Sequence, residues 1–427
     1  MILLLPAAVL LATTDPLWRD IDAAVQVSHP PSFATLVHFP PLYCFGSRIP
    51  LLLGALFENG SVASDFFIRP TLTPTGVLLL VLSQQLAGAG AVAFLIGATT
   101  RSRLMQGAFL ALFLAQGWFW TFLHCVGSEA LSLVLIVLAC GAVIGGVRSR
   151  EPSGRGLLAV MFYGSVFLAV LTRHINVLLL VIPPLAGVLA ALAERAEWRV
   201  RLRGCGIAMA FGVVVLMSSG LVGDGVARVG GVEPGGTLGL TFRWRTACLA
   251  RSLPPAEAGA LFERCASAAS DPAVAALLRR FGGAVMAGTL LTTDRQLGFA
   301  SAEASAAGRP EASGELLSAL PIVLFRHGGL PLWQNIAGDI VNVPARTAAD
   351  VAVYPFHSTI YLVDDRYRGM VSEHPEVLAM SADRKDRLVS RSRWIQRQVW
   401  LAWPVWALFL LSISAALAAR SPLEPAV

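Results

Sequence analysis

Apolar runs long enough to cross a bilayer, separated by arginine clusters at every second connection, constrain this chain more than any other feature. Strong candidate spans cover about 76–98, 104–124, 129–147, 157–172, 175–193 and 205–223, with a last one at about 399–418. As helices, such runs can cross a hydrocarbon core of roughly 30 Å. Arg101 and Arg103 separate the first two, and Arg148, Arg150 and Arg155 separate the third and fourth. Arg195, Arg199, Arg201 and Arg203 precede the sixth, and Arg420 follows the last. The short connections between these clusters, 124–128 and 173–174, carry almost no excess of basic charge. Cytoplasmic connections collect Arg and Lys, so the pattern predicts an integral membrane protein with both termini cytoplasmic. The expected location is a bacterial inner (plasma) membrane.

Composition agrees. The chain is 55% hydrophobic and only 14% charged, with a mean hydropathy of +0.66, whereas soluble domains carry about 25% charged residues. The net charge of +6 does not point to nucleic acid, because most basic residues sit between spans, where orientation in the bilayer accounts for them. The six cysteines form no C-x-x-C pair and no zinc-like Cys/His spacing. Cys248 and Cys265 fall in the one large hydrophilic region, where a disulfide is open if that region faces an oxidising compartment.

Residues 1–13 are apolar but short and read as an uncleaved first helix. An opening loop, 14–49, follows, then an apolar piece at 50–57 that is too short to span. Together with the segments above this gives about eight spans. The fold class is an all-α membrane protein, with a transmembrane core over 1–223 and a mostly helical extracytoplasmic domain over 224–397. Residues 398–427 supply a final span and a cytoplasmic tail. Within 224–397, helical periodicity is clearest near 256–268 and 274–281. No phosphate-loop or dinucleotide fingerprint occurs in the chain.

This topology brings the opening loop, the turns near 124–129 and 173–176, and the hydrophilic region to one outer face. The opening loop holds Asp15, Asp20 and Asp22. An acid-x-acid pair such as Asp20 and Asp22 can act as general base or ligate Mg²⁺ or Mn²⁺, hard cations that prefer oxygen. It can equally pair with Arg19 or cap a helix, the role expected of Asp15. His38 and Tyr43 flank Pro40 and Pro41, which stiffen the segment. They read either as contacts to a phosphate or sugar hydroxyl or as an interfacial anchor. Ser128 and Glu129 open a span, where an N-cap and a first-turn acid suit the helix dipole. Glu129 beside His124 at a helix mouth is also a candidate substrate contact. Arg173, His174 and Asn176 sit between two outer helix ends. A guanidinium there runs against the orientation bias, so it reads either as a bidentate phosphate ligand or as the structural partner of Glu129 or another outer carboxylate.

This constellation resembles the GT-C-type membrane glycosyltransferases, polytopic enzymes that use polyprenyl- or dolichyl-phosphate-linked sugars, mannosyltransferases among them. It comprises an acidic first outer loop, the H38-F-P-P-L-Y43 segment, Ser-Glu at one helix mouth, and Arg and Asn at another. The resemblance covers roughly 1–223. It implies a GT-C-like multi-helix transmembrane core and transfer of a sugar at the outer face from a polyprenyl-phosphate-linked donor. The acceptor would be a lipid, glycan or protein of the cell envelope. Asp20 or Asp22 would be the catalytic or metal-binding acid, and Arg173 a donor-phosphate ligand. The other readings are a non-enzymatic membrane scaffold or sensor and a transporter. For a transporter, Gln84-Gln85 and Pro183-Pro184 are the main polar or helix-breaking interruptions within the spans.

Overall fold

The computed structural model of the chain describes residues 2–18, 23, 26–27, 41–149, 151–184, 198–229, 255–286 and 382–398, with scattered positions from 322 to 337. Two compact units emerge, one formed by Met1–Val232 with Ala348–Val427 and the other by Glu233–Thr347. Four described helices are long and apolar enough to cross a membrane, and they correspond to the predicted spans at 76–98, 129–147, 157–172 and 205–223. The protein is therefore a mostly helical membrane protein. The predicted final span, at 399–418, lies outside the described residues.

The most buried of the four is Pro74–Thr99, here α4. Thr73, in extended backbone, accepts the Gly76 N–H at 3.1 Å, and Pro74 occupies the first turn, where no amide donor is required. Glu58 reaches the same end and accepts the Thr75 N–H at 2.6 Å. Glu58 belongs to α3 (Arg48–Asn59), which follows α1 (Leu5–Thr13) and α2 (Pro41–Gly46) in the chain and ends on Gly60 in the left-handed region at φ 71°. The apolar piece at 50–57 is thus a helix laid against the first half of α4. The approach is close because both helices present glycine. A Cβ on Gly54 would fall 2.1 Å from the Gly76 backbone.

The predicted span at 104–124 is instead two helices, α5 (Arg103–Leu114) and α6 (Gly117–Leu123). The break falls at Ala115-Gln116, just before Gly117, a poor helix interior residue. The aromatic run that follows fills the corner. Trp118, Phe119, Trp120 and Phe122 meet one another or Phe113 edge-on, and the Trp120 indole donates to the Phe113 carbonyl at 2.8 Å.

Beyond the break, α7 (Ser128–Arg148) packs along both α4 and α8 (Pro152–Thr172). Small residues set the separation, as is usual between helices in lipid. Gly141 faces the Phe94 ring, and Gly145 faces Leu158. The predicted helix at 175–193 begins as a 3-10 segment, His174–Val181, and residues 185–193 lie outside the described set. α9 (Trp198–Val229) lies against α8, with Tyr163 and Phe211 stacked at 5.3 Å. It is the least buried of the four spans. Ile207, Met209, Val213, Val214 and Met217 are exposed along it, as expected of a helix facing lipid.

In the second unit, α10 (Pro255–Ala268) and α11 (Pro272–Met286) form a helix pair where the periodicity predicted helices. Gly282 admits the Phe262 ring. Cys265 is a buried free thiol, and Cys248 lies outside the described residues. The last described helix, α12 (Ala382–Gln398), belongs to the first unit, where Leu388 and Ile395 pack on Leu17, Cys125 and Trp118.

The α3–α4 crossing gives a direct test. Gly54→Ala is expected to cost about 1–3 kcal/mol, as overpacking does, because the new methyl meets backbone that cannot swing away. The thermal midpoint of the detergent-purified protein should fall measurably, whereas Gly90→Ala, whose Cβ meets open space, should leave it unchanged.

Candidate functional site

Between the end of α6 and the start of α7 the chain runs extended at the depth of Gln84, ten residues into α4. The connection is buried, so its backbone N–H and C=O groups need protein partners. Cys125–Val126 forms strand β2, pairing in parallel with β1, Leu17–Trp18, from the opening segment, with Leu17 opposite Cys125 and Trp18 opposite Val126. All four residues are buried, and the Leu17 N–H donates to the His124 carbonyl at 3.1 Å.

The glutamine pair of α4 completes the set. Gln84 Nε2 donates to the carbonyls of Cys125 (2.8 Å) and Leu123 (3.3 Å), and Gln85 Nε2 donates to that of Trp120 (3.0 Å). Tyr43 links this network to the next helix. Its hydroxyl donates to Gln84 Oε1 at 3.2 Å and accepts the Gly127 N–H at 2.6 Å. The glutamines flagged by the transport reading therefore hold backbone, and Tyr43 is committed to the same task.

His124 is fully buried. Its Nε2 lies 3.0 Å from the Thr14 carbonyl and 3.2 Å from that of Asp15. Both partners accept, which fixes Nε2 as the protonated nitrogen. Its Nδ1 has no partner among the described residues.

The accessible part of the site is the Glu129–Arg173 pair. Glu129 lies in the first turn of α7 and Arg173 just past the end of α8, so the antiparallel packing of these helices joins residues 44 positions apart. The Arg173 guanidinium donates to Glu129 Oε1, and the two side chains are 29% and 19% exposed. Ser128 Oγ lies 3.5 Å from the second carboxylate oxygen. Beneath the pair, Asn176 is buried, and its Nδ2 donates to Ser132 Oγ and to the Ala169 carbonyl, each at 2.8 Å. Asn176 thus ties the turn after α8 back onto α7 and holds Arg173 in place.

The structure accordingly brings Tyr43, His124, Glu129, Arg173 and Asn176 to one end of the bundle. Asp20, Asp22 and His38 lie outside the described residues, as does the side chain of His174. The flanks of the acidic pair are described, and Trp18, Ala23 and Val27 are all buried. Among the described residues no group of three or more His, Cys, Asp or Glu is placed to hold a metal ion. Two contributors were not singled out in the sequence. Arg48 is buried at the start of α3, with its guanidinium 5.1 Å from the Phe45 ring centre, and Arg391 reaches the Asp15 corner from α12. A charge opening an apolar segment signals the first, whereas no local signal marks the second.

Comparison with protein families, with curated proteins and with solved structures returns no match to this chain.

A test follows from this geometry. Gln84→Leu leaves the buried carbonyls of Leu123 and Cys125 without their amide donor and the Tyr43 O–H without its acceptor. It should cost about 1–3 kcal/mol, and combining it with Tyr43→Phe should cost less than the two separate losses together. Both are read from unfolding in detergent.

Proposed function

We propose that this protein is a membrane glycosyltransferase moving a sugar from a polyprenyl-phosphate-linked donor to a lipid, glycan or protein acceptor. The observation that carries the reading is the partly exposed Glu129–Arg173 pair, placed at the end of the bundle where the opening segment is anchored through Leu17–Trp18. Asp20 and Asp22 follow that strand by two and four residues in sequence.

In the proposed reaction, the acceptor hydroxyl oxygen forms a bond to the sugar C1 as the bond from C1 to the donor phosphate oxygen breaks. The hydroxyl proton passes to the carboxylate of Asp20 or Asp22. The charge left on the departing lipid phosphate faces Arg173. A guanidinium has five N–H donors in a planar fork, so binding to Glu129 leaves others for a phosphate. Glu129 holds the fork in a fixed orientation, so little reorganisation is needed as charge develops. His38, Tyr43, His124, His174 and Asn176 would shape the walls of the cleft. Asp20 and Asp22 would also be the residues to hold Mg²⁺ or Mn²⁺, and no step here depends on one.

The test is transfer of radiolabelled sugar from polyprenyl-phosphate donors by the purified protein in proteoliposomes. Asp20→Ala or Asp22→Ala is expected to lower the rate at least about 100-fold, the lower range for loss of a general base. Arg173→Gln should weaken donor binding. Full activity in both aspartate variants would sink the assignment of the base. Uptake of the lipid-linked sugar without transfer would instead favour transport, the reading to which the interrupted Arg103–Leu123 stretch lends support.

A further inference from the structure

A polar cavity of about 190 Å³ lies between the end of α1 and the side of α12, lined by Thr13, Thr14, Asp15, Arg387 and Arg391, with Leu11, Ala12 and Leu388 at its base. Three observations make it more than a gap. First, it brings together residues more than 370 positions apart, with Arg387 and Arg391 four residues apart on α12 and so on one helix face. Second, Thr14 is buried, and its Oγ1 has no hydrogen-bond partner among the described residues, although Thr14 lines the cavity. Third, Arg391 is half-buried with no hydrogen bond or ion pair among the described residues, and burial, with the like charge of Arg387 beside it, lowers its basicity. A half-buried guanidinium next to another guanidinium is costly unless something negative joins them. Asp15, exposed at the rim, supplies one negative charge, which leaves the cavity lining net positive.

We propose that this cavity is a binding site for a phosphate group, held by the guanidinium groups of Arg387 and Arg391 with the Thr14 hydroxyl as a further donor. A tetrahedral phosphate carries several acceptor oxygens and fits this donor set. Guanidinium groups bind it through paired, charge-assisted hydrogen bonds. A carboxylate ligand would use the arginines but has fewer oxygens to offer the threonine. The rest of α12 favours an anion too. Arg384, Lys385, Arg393 and Arg397 add to the two arginines, against Asp383 and Asp386, so the helix raises the local concentration of negative ligands. Two sources share this chemistry, a lipid phosphate headgroup and free phosphate. The site stands on its own residues and does not depend on the sugar-transfer reading.

The experiment uses the full chain purified in detergent and measures equilibrium binding of three probes: farnesyl phosphate, farnesol and inorganic phosphate. Farnesyl phosphate should bind and farnesol, which has the same tail without the phosphate, should not. The double substitution Arg387→Gln/Arg391→Gln is expected to lower affinity at least about ten-fold, the scale of one lost charge-assisted hydrogen bond. Arg393→Gln/Arg397→Gln, which removes exposed basic residues away from the cavity, should change it less than two-fold. Competition by inorganic phosphate would identify free phosphate as a sufficient ligand, and failure to compete would identify the lipid headgroup; either supports the site. Thr14→Val keeps every charge and should lower affinity several-fold, which preserves the test if the arginine variant does not fold. Equal binding of farnesol and farnesyl phosphate would overturn the proposal, and so would unchanged affinity in both the arginine and the threonine variants.

Discussion

Backbone groups in an apolar surrounding must find partners inside the protein, and the stretch between Leu114 and Ser128 is where this chain meets that requirement without a continuous helix. The partners come from three directions. The opening segment contributes a strand, α4 contributes the Gln84 and Gln85 amides, and α2 contributes the Tyr43 hydroxyl. Each ties a different part of the chain to the break. The segment before Arg19 is fixed because it pairs there, and α7 starts where it does because Tyr43 receives the Gly127 N–H. The geometry of the candidate site is a consequence of this one accommodation.

Residues that a search for chemistry selects on type thus fall into two groups. Tyr43, His124 and Asn176 are buried, with the Tyr43 hydroxyl, His124 Nε2 and Asn176 Nδ2 engaged by the protein itself. Their role is to hold the helix ends in register. Glu129 and Arg173 form a pair on that framework that solvent still reaches. Such a division is common where a site must be rigid, because the groups that contact a ligand depend on others that do not. It also means that loss of function on replacing Tyr43 or Asn176 says little about catalysis unless stability is measured beside it.

Much of the fold was legible in the sequence, for a physical reason. A span that runs uninterrupted through lipid satisfies its own backbone, so composition alone marks α4, α7, α8 and α9. The break at Gln116 was not legible, since the apolar content of 104–124 is the same whether or not the helix continues, and the groups that compensate the break lie 35 to 41 positions away in α4. Gln84 and Gln85 stood out as polar residues within a span, yet their partners could not be read from spacing. The pairing of Glu129 with Arg173 was one of two alternatives that charge and topology left open, and the antiparallel packing of α7 on α8 makes the contact. The place of α12 beside Asp15 had no sequence signal, because the contact joins the two ends of the chain.

β1 is pinned to β2, which holds Leu17 and Trp18 of the opening segment beside the start of α7. Engineered thiols test it most directly. Directly opposed strand residues lie roughly 4.8 Å apart, within the range a disulfide spans, and Cys125 is already present opposite Leu17. With the other five of the six cysteines replaced by serine, Leu17→Cys should form a disulfide with Cys125 on mild oxidation in native membranes, identified by peptide mass mapping. Failure to couple, while a cysteine placed at an unrelated opening-loop position couples to Cys125 instead, would contradict the pairing.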